Sequence, residues 1–337
     1  MRLLVHICVF IFVGQCYAQK SDFKTISFKK ADSIASAFKG EKLNNIPQLS
    51  YKLTSNLDTD VEKFRAIFKW ITENIANDYP QYAKNKRKRY KLREDEQQLT
   101  EWSMLFRKEA FKKLLEDNKA TCTGYAYLLK ELSRYANLNC KIVNGYARTS
   151  SIDVDKIHAP NHSWNAIELN GKWYLCDPTW ASGIQNPTTL KFEFKYNDGF
   201  FLANPEIFAI NHNPVDEAWL LLEENKPTYE TFLETPILYG KAYTSFSKHI
   251  LPKKMHSDVK KKESIVFKYE LLEPIKTESI ELLVDNGVKY IPVKPRVLSI
   301  ENNVLVFEHT FKRRGFFDVH LFIDSEVVAT YTFSVKK

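Results

Sequence analysis

Glycine is scarce in this chain, at 10 of 337 residues, while hydrophobic residues make up 44%. That balance excludes a flexible, low-complexity protein and fits a globular one with apolar material for two ordinary cores. No internal repeat and no biased tract is present. No stretch after the first residues is apolar enough for a transmembrane helix, which needs about 20 such residues. Cysteine is sparse, with five in all. No nucleic-acid fold is recognisable either, so the net charge of +8 carries no nucleic-acid reading. Abundant instead are aromatic residues, 23 Phe, 17 Tyr and 6 Trp, which disfavour long disorder.

The first residues read as a targeting segment. Arg2 supplies a positive start, Leu3 to Val13 an apolar run, and Cys16-Tyr17-Ala18 a small-x-small end. Cleavage is expected after Ala18, giving an exported protein, periplasmic or extracellular, that begins at Gln19. Gln15 before Cys16 speaks against lipidation. Cys8 and Cys16 leave with the segment, so Cys122, Cys140 and Cys176 remain. An odd count in an oxidising compartment points to an unpaired thiol; three buried free cysteines are the ordinary alternative.

Basic residues concentrate in Lys84-Asn-Lys-Arg-Lys-Arg-Tyr-Lys-Leu-Arg93, and Glu94-Asp95-Glu96 follows at once. Two readings stay open for 84–93: a solvated insertion, or a docking patch for an acidic partner or a membrane surface.

Thr59-Asp-Val-Glu62 has the form of a capping box, and Val61, Phe64, Phe68, Ile71 and Ile75 recur at three-four spacing with Trp70 beside them. A buried helix is expected there, and a second over roughly 101–117. A third starts at or just before Cys122, with Tyr125, Leu128, Leu129, Leu132 and Ala136 as its stripe and Asn137 as its stop. Strands are expected over 140–147, 162–169 and 172–177, the last two joined by the Asn170-Gly171 hairpin signal. Pro252 and the lysine clusters near 253–262 read as a linker. Seven short strand candidates follow, near 264–272, 278–284, 288–293, 296–301, 303–310, 315–324 and 326–335, the pattern of a small β-sandwich.

Three short contexts carry chemistry: Lys119-Ala-Thr-Cys-Thr-Gly-Tyr-Ala126, Asn161-His-Ser-Trp-Asn165 and Leu175-Cys-Asp-Pro-Thr-Trp180. A cysteine attacks as thiolate, so it needs a base, and the base needs an orienting acceptor. Cys122 at a helix start would face unsatisfied N–H groups and the positive end of the helix dipole, both of which favour the thiolate. Gly124 costs about 1 kcal/mol of helix propensity, so a packing or access reason is expected for it. With Asn170-Gly171 as a two-residue turn, Trp164 falls opposite Asp177 and His162 opposite Thr179. His162 and Asp177 are then diagonal neighbours on one face, about 7–8 Å apart at the backbone. The same register turns Cys176 to the other face. Each of the three residues also has an ordinary structural reading; their combination favours catalysis. His158 stands four residues before His162, but no further ligands follow at metal-site spacing, so neither metal nor cofactor is expected.

Cys122-x-Gly-Tyr-Ala, His162-x-Trp-Asn and Asp177-Pro-Thr-Trp resemble the transglutaminase-like superfamily, and within it bacterial kyphoscoliosis-peptidase-like members. The 66–75 helix, Gly145-Tyr-Ala-Arg148 and the 200–208 stretch add to the resemblance, which covers roughly residues 60–225. It implies an α+β, papain-like/transglutaminase-like core over 19–250, with the β-sandwich (Ig-like) domain over 251–337 outside the match. It implies Cys122 as acyl carrier, His162 as base and then acid, and Asp177 as the group that orients it. The Cys122 N–H is a natural oxyanion donor. The chain departs from the family pattern at Ala120-Thr121, where Gly-Val is frequent, and at Asn77, where an aromatic is frequent. The expected function is cysteine acyl transfer on amide bonds of a protein or peptide, with hydrolysis ahead of transamidation. The alternative, from another class, is a non-catalytic surface scaffold that binds through the groove and the sandwich.

Overall fold

The computed structural model describes residues 19–150 and 159–337. The expected signal segment, Cys8, Cys16 and His158 lie outside the described residues. Helices α1 (Lys29–Ala37), α2 (Ile46–Thr54) and α3 (Asp60–Asn74) open the fold. Thr59 caps α3 reciprocally: its Oγ1 accepts from the Glu62 N–H at 3.4 Å, and its own N–H donates to Glu62 Oε2 at 3.2 Å. The expected α3 face is buried, with Phe64, Phe68, Ile71, Ile75 and Trp70 fully enclosed.

Strand β1 (Ala76–Asn77) leads into α4 (Tyr79–Lys91), and α5 (Glu96–Asp117) returns to β2 (Lys119–Ala120). Most of the basic run 84–93 is therefore helical. α4 is capped by Asp78, whose Oδ1 accepts from the Gln81 N–H, a signal masked in the sequence by the charge that follows. α5 starts earlier than expected, at the Asp95 cap. Strands β1 and β2 pair in parallel, Asn77 against Ala120, which delivers the chain to α6 (Cys122–Tyr135). A Cβ at Gly124 would lie 2.9 Å from the Ala120 Cβ. Close packing of the helix on β2 is thus what this glycine serves.

The central sheet is β5-β4-β3-β8, built from β3 (Cys140–Ala147), β4 (His162–Leu169), β5 (Lys172–Cys176) and, after the small β6 (Gly183–Gln185) and β7 (Phe192–Phe194) hairpin, β8 (His212–Pro214). Leu169 pairs with Lys172 and Asn165 with Cys176, as the hairpin signal requires. The ladder stops there. Asp177 does not pair with Trp164 but caps α7 (Pro178–Ser182), accepting from the N–H groups of Thr179 and Trp180. His162 pairs instead with Gly145 of β3, and Gly145 in turn with Pro214 of β8. Helix α8 (Pro205–Asn211) precedes β8.

Two further sheets form the C-terminal part. One has the order β10-β12-β16-β15 and the other β11-β18-β17-β13-β14, with β9 (Ile237–Leu238) attached to β18. Their strands are β10 (Phe246–Leu251), β11 (His256–Lys260), β12 (Ser264–Leu271), β13 (Ile280–Asp285), β14 (Tyr290–Val293), β15 (Arg296–Glu301), β16 (Val304–Thr310), β17 (Gly315–Ile323) and β18 (Glu326–Lys336). The inner faces meet through Phe267 against Tyr331 at 5.3 Å and Phe333 at 6.2 Å. The expected linker is corrected: β10 and β11 occupy much of 246–260, so the sheets begin before residue 251. Lysines disguised β11 because it is an edge strand, parallel to β18, where charged side chains face water.

Candidate active site

Asn165 fixes the position of the cysteine helix against the histidine strand. Its Nδ2 donates to the Ala126 carbonyl of α6 at 2.9 Å and to the Lys141 carbonyl of β3 at 3.2 Å. Tyr125 adds a second tie, its hydroxyl bonding to the Ile75 carbonyl and lying 3.1 Å from Ser182 Oγ. Cys122, at the first turn of α6, is thereby brought to the neighbourhood of His162, at the start of β4. His162 Nε2 lies 2.7 Å from Asp177 Oδ2. Cys122 is half-buried, whereas His162 and Asp177 are buried.

Electrostatics follow from this geometry. Burial alone would push the Cys122 thiol up, but the hydrogen bond and charge of His162, with the Ser163 backbone N–H, outweigh it and lower its pKa. Burial disfavours the His162 cation, yet the Asp177 charge and its hydrogen bond, with the bond to Cys122, hold His162 at about 10. Asp177 is kept well below the carboxylate range: burial opposes this, and the charge and hydrogen bond of His162 together with the His212 bond prevail. A lowered thiol beside a raised imidazole favours a thiolate–imidazolium pair. Cys140 and Cys176 are buried free thiols, with burial pushing the first up to about 12 and the second well above its ordinary value. Cys176 bonds to the Asn165 carbonyl at 3.6 Å and sits apart from the reactive thiol.

His212 completes the cluster, and the sequence reading missed it. Its Nε2 lies 3.1 Å from Asp177 Oδ2, so one carboxylate oxygen serves two imidazoles while the other accepts two backbone N–H groups. Burial brings His212 down to about 4, against the pull of Asp177 and of the Phe208 carbonyl that its Nδ1 faces at 3.2 Å. Its ring stacks on Phe208 at 3.8 Å and lies 4.3 Å from Trp180, which also stacks on His162 at 5.4 Å. The signal available in the sequence was the 200–208 stretch, which positions α8; nothing local ties residue 212 to residue 177. His162, Asp177 and His212 are also close enough to hold a metal, within 4.8 Å of one another. Their facing atoms already bond to each other through Asp177 Oδ2.

Comparison with known proteins assigns part of the chain to a family. Residues 47–178 match the family model described as the transglutaminase-like superfamily. The chain is 30% identical to human (Homo sapiens) kyphoscoliosis peptidase over 211 residues, covering 60% of this chain and 29% of that protein. It is 31% identical to the mouse (Mus musculus) kyphoscoliosis peptidase over 198 residues, covering 58% and 27%. It is 26% identical to Hillarin of Drosophila melanogaster over 213 residues, covering 59% and 23%. The chain thus spans less than a third of the length of these curated relatives. Among its described residues, no helix is long and apolar enough to cross a membrane. Residues 47–178 of this chain are a transglutaminase-like superfamily domain, in an α+β core followed by antiparallel sheets.

Proposed function

We propose that the protein is an exported cysteine acyl-transfer enzyme acting on amide bonds of a protein or peptide, with hydrolysis favoured over transamidation. The observation that supports this most directly is the buried His162 held at 2.7 Å by Asp177, with the Cys122 thiol lowered by His162 and the imidazole raised. The Cys122 thiolate attacks the amide carbonyl, and the new oxyanion is received by the Cys122 N–H at the start of α6. The His162 imidazolium then passes its proton to the leaving amine, so the amide C–N bond breaks and a thioester remains. Neutral His162 takes a proton from water, which releases the carboxylic acid and regenerates the thiolate. Asp177 orients the ring and stabilises its charge, while His212 holds Asp177. The unit that performs this is taken to be residues 19–250, with the C-terminal sheets appended to it. The printed name of the kyphoscoliosis peptidases favours hydrolysis, and the apolar start of the chain, Leu3 to Val13, favours export.

The test is alkylation of Cys122 by iodoacetamide across pH. The expected rate at pH 6 is close to that at pH 8.5, and Cys122→Ala removes it while His162→Ala restores an ordinary thiol profile. Peptide hydrolysis should fall as pH rises through about 10, where His162 loses the proton that the leaving amine needs, although the thiolate persists. A Cys122 that is inert in the native protein would sink the enzymatic reading and leave the non-catalytic scaffold.

A further inference from the structure

The basic helix α4 starts next to the reactive thiol. β1, immediately before α4, pairs with β2, and the Asp78 N–H donates to the Ala120 carbonyl at 2.9 Å, two residues before Cys122. Asp78 also holds Lys113 of α5 at 2.9 Å, which fixes the first turn of α4. Further along, Arg89 Nη1 donates to the Pro160 carbonyl at 3.4 Å, two residues before His162. Between these anchors, Tyr82 is half-buried, and burial, then the Cys122 charge, push its phenol up to about 12 against the pull of Arg89.

Tyr82 and Arg89 are seven residues apart, so they share one helix face, and exposed Lys86 falls between them on it. A different face of α4 is occupied by α5. There Lys84 meets Glu109 at 3.2 Å, Asn85 accepts from Trp102 Nε1 at 3.0 Å, and Lys84 and Lys88 lie over the Trp102 ring at 5.8 and 5.7 Å. α4 contains no acidic residue, and among the described residues its ion pair is that one contact to Glu109. One side of α4 is thus packed. The Tyr82–Lys86–Arg89 side runs from the cysteine turn to the entry of the histidine strand, and among the described residues no acidic side chain pairs with its Lys86 or Arg89.

We propose that the Tyr82–Lys86–Arg89 face of α4 is a substrate subsite that selects segments carrying Asp or Glu beside the amide presented to Cys122. This rests on the acyl-transfer reading and names its substrate class. A carboxylate leaving water for this face gains from two cations at once, and field lines in a cleft raise the local concentration of acidic chains. The effect is screened by salt over roughly 8–10 Å. A flat anionic membrane is the poorer occupant, because Arg89 turns inward to the Pro160 carbonyl rather than projecting clear of the fold.

The experiment is equilibrium binding of two fluorescein-labelled octapeptides, one with four Glu residues and one with Gln in their place, followed by anisotropy. The full chain is compared with Lys86→Gln/Arg89→Gln and with a charge-matched control in the C-terminal sheets, Lys312→Gln/Arg313→Gln. Each exposed ion pair is worth up to about fivefold in affinity. The Glu peptide is therefore expected to bind severalfold more tightly than the Gln peptide at low salt. That preference should vanish in the Lys86/Arg89 variant and survive in the control. Lys86→Gln alone, at an exposed position, should halve the preference or better if the double variant is poorly folded. An unchanged preference in both variants would overturn the proposal, as would binding to phosphatidylserine vesicles in place of the Glu peptide. Iodoacetamide reactivity of Cys122 in the same samples reports separately on the acyl-transfer reading, since peptide binding does not require a reactive thiol.

Discussion

At the scale of single residues, Asp177 is the most heavily used group in the centre. Its Oδ1 accepts the N–H groups that start α7, and its Oδ2 accepts from His162 and His212. Folding therefore depresses its pKa, and such a group contributes stability that is present above the unfolded value and lost as pH falls through the folded one. His212→Phe keeps the stack on Phe208 but removes one donor to the carboxylate, at a cost of about 1–2 kcal/mol. Asp177 should then take up its proton at higher pH. The acid limb of the Cys122 alkylation profile is expected to shift upward, and acid unfolding to set in earlier. An alkylation profile identical to the parent's would show that His212 only fills space.

At the scale of elements, the placing of Cys122 relative to His162 depends on how α6 is fastened to β4, and Asn165 is the fastener. Asn165→Leu keeps the volume and removes both bonds to the Ala126 and Lys141 carbonyls. A loss of about 1–3 kcal/mol is expected, read as a lower denaturant midpoint, together with slower Cys122 alkylation at pH 6. Equal stability and reactivity would mean that helix packing alone sets the Cys122–His162 contact. Several elements were legible because their signals are local. The Thr59–Glu62 box lies within one turn, Asn170-Gly171 sets the register by itself, and Asn302-Asn303 adopts the positive φ values of 50° and 61° that a tight turn between β15 and β16 needs. α2 and α4 were not legible. Only Leu49, Ser50, Leu53 and Thr54 of α2 are buried, and α4 buries only Gln81, so neither shows a full apolar stripe.

At the scale of the whole molecule, one hydrophobic cluster runs continuously from Phe23 to Val335. β9 extends the β18 sheet through Ile237 and Leu238, and Lys248 reaches Glu206 of α8 at 2.7 Å. β18 shows the consequence: Tyr331, Phe333 and Val335 alternate as half-buried strands do, while 328–330 are buried on both faces because β9 and the helical part cover them. A single cooperative calorimetric transition is expected for the chain, and truncation before Phe246 should yield insoluble protein, since β9 would lose its sheet. Two resolved transitions would show instead that the C-terminal sheets fold independently of the core.

The sequence by itself determined the helix that starts at Cys122, the hairpin that follows His162, and most C-terminal strands, because each depends on residues within a turn or two of one another. Tertiary structure alone decided that His212 shares Asp177, since β8 reaches it only by pairing with β3, and that the basic helix α4 is anchored at Ala120 and Pro160, since β1 pairs with β2 and Arg89 donates to the Pro160 carbonyl. Those juxtapositions come from burial and strand pairing between distant segments, for which no local pattern stands in.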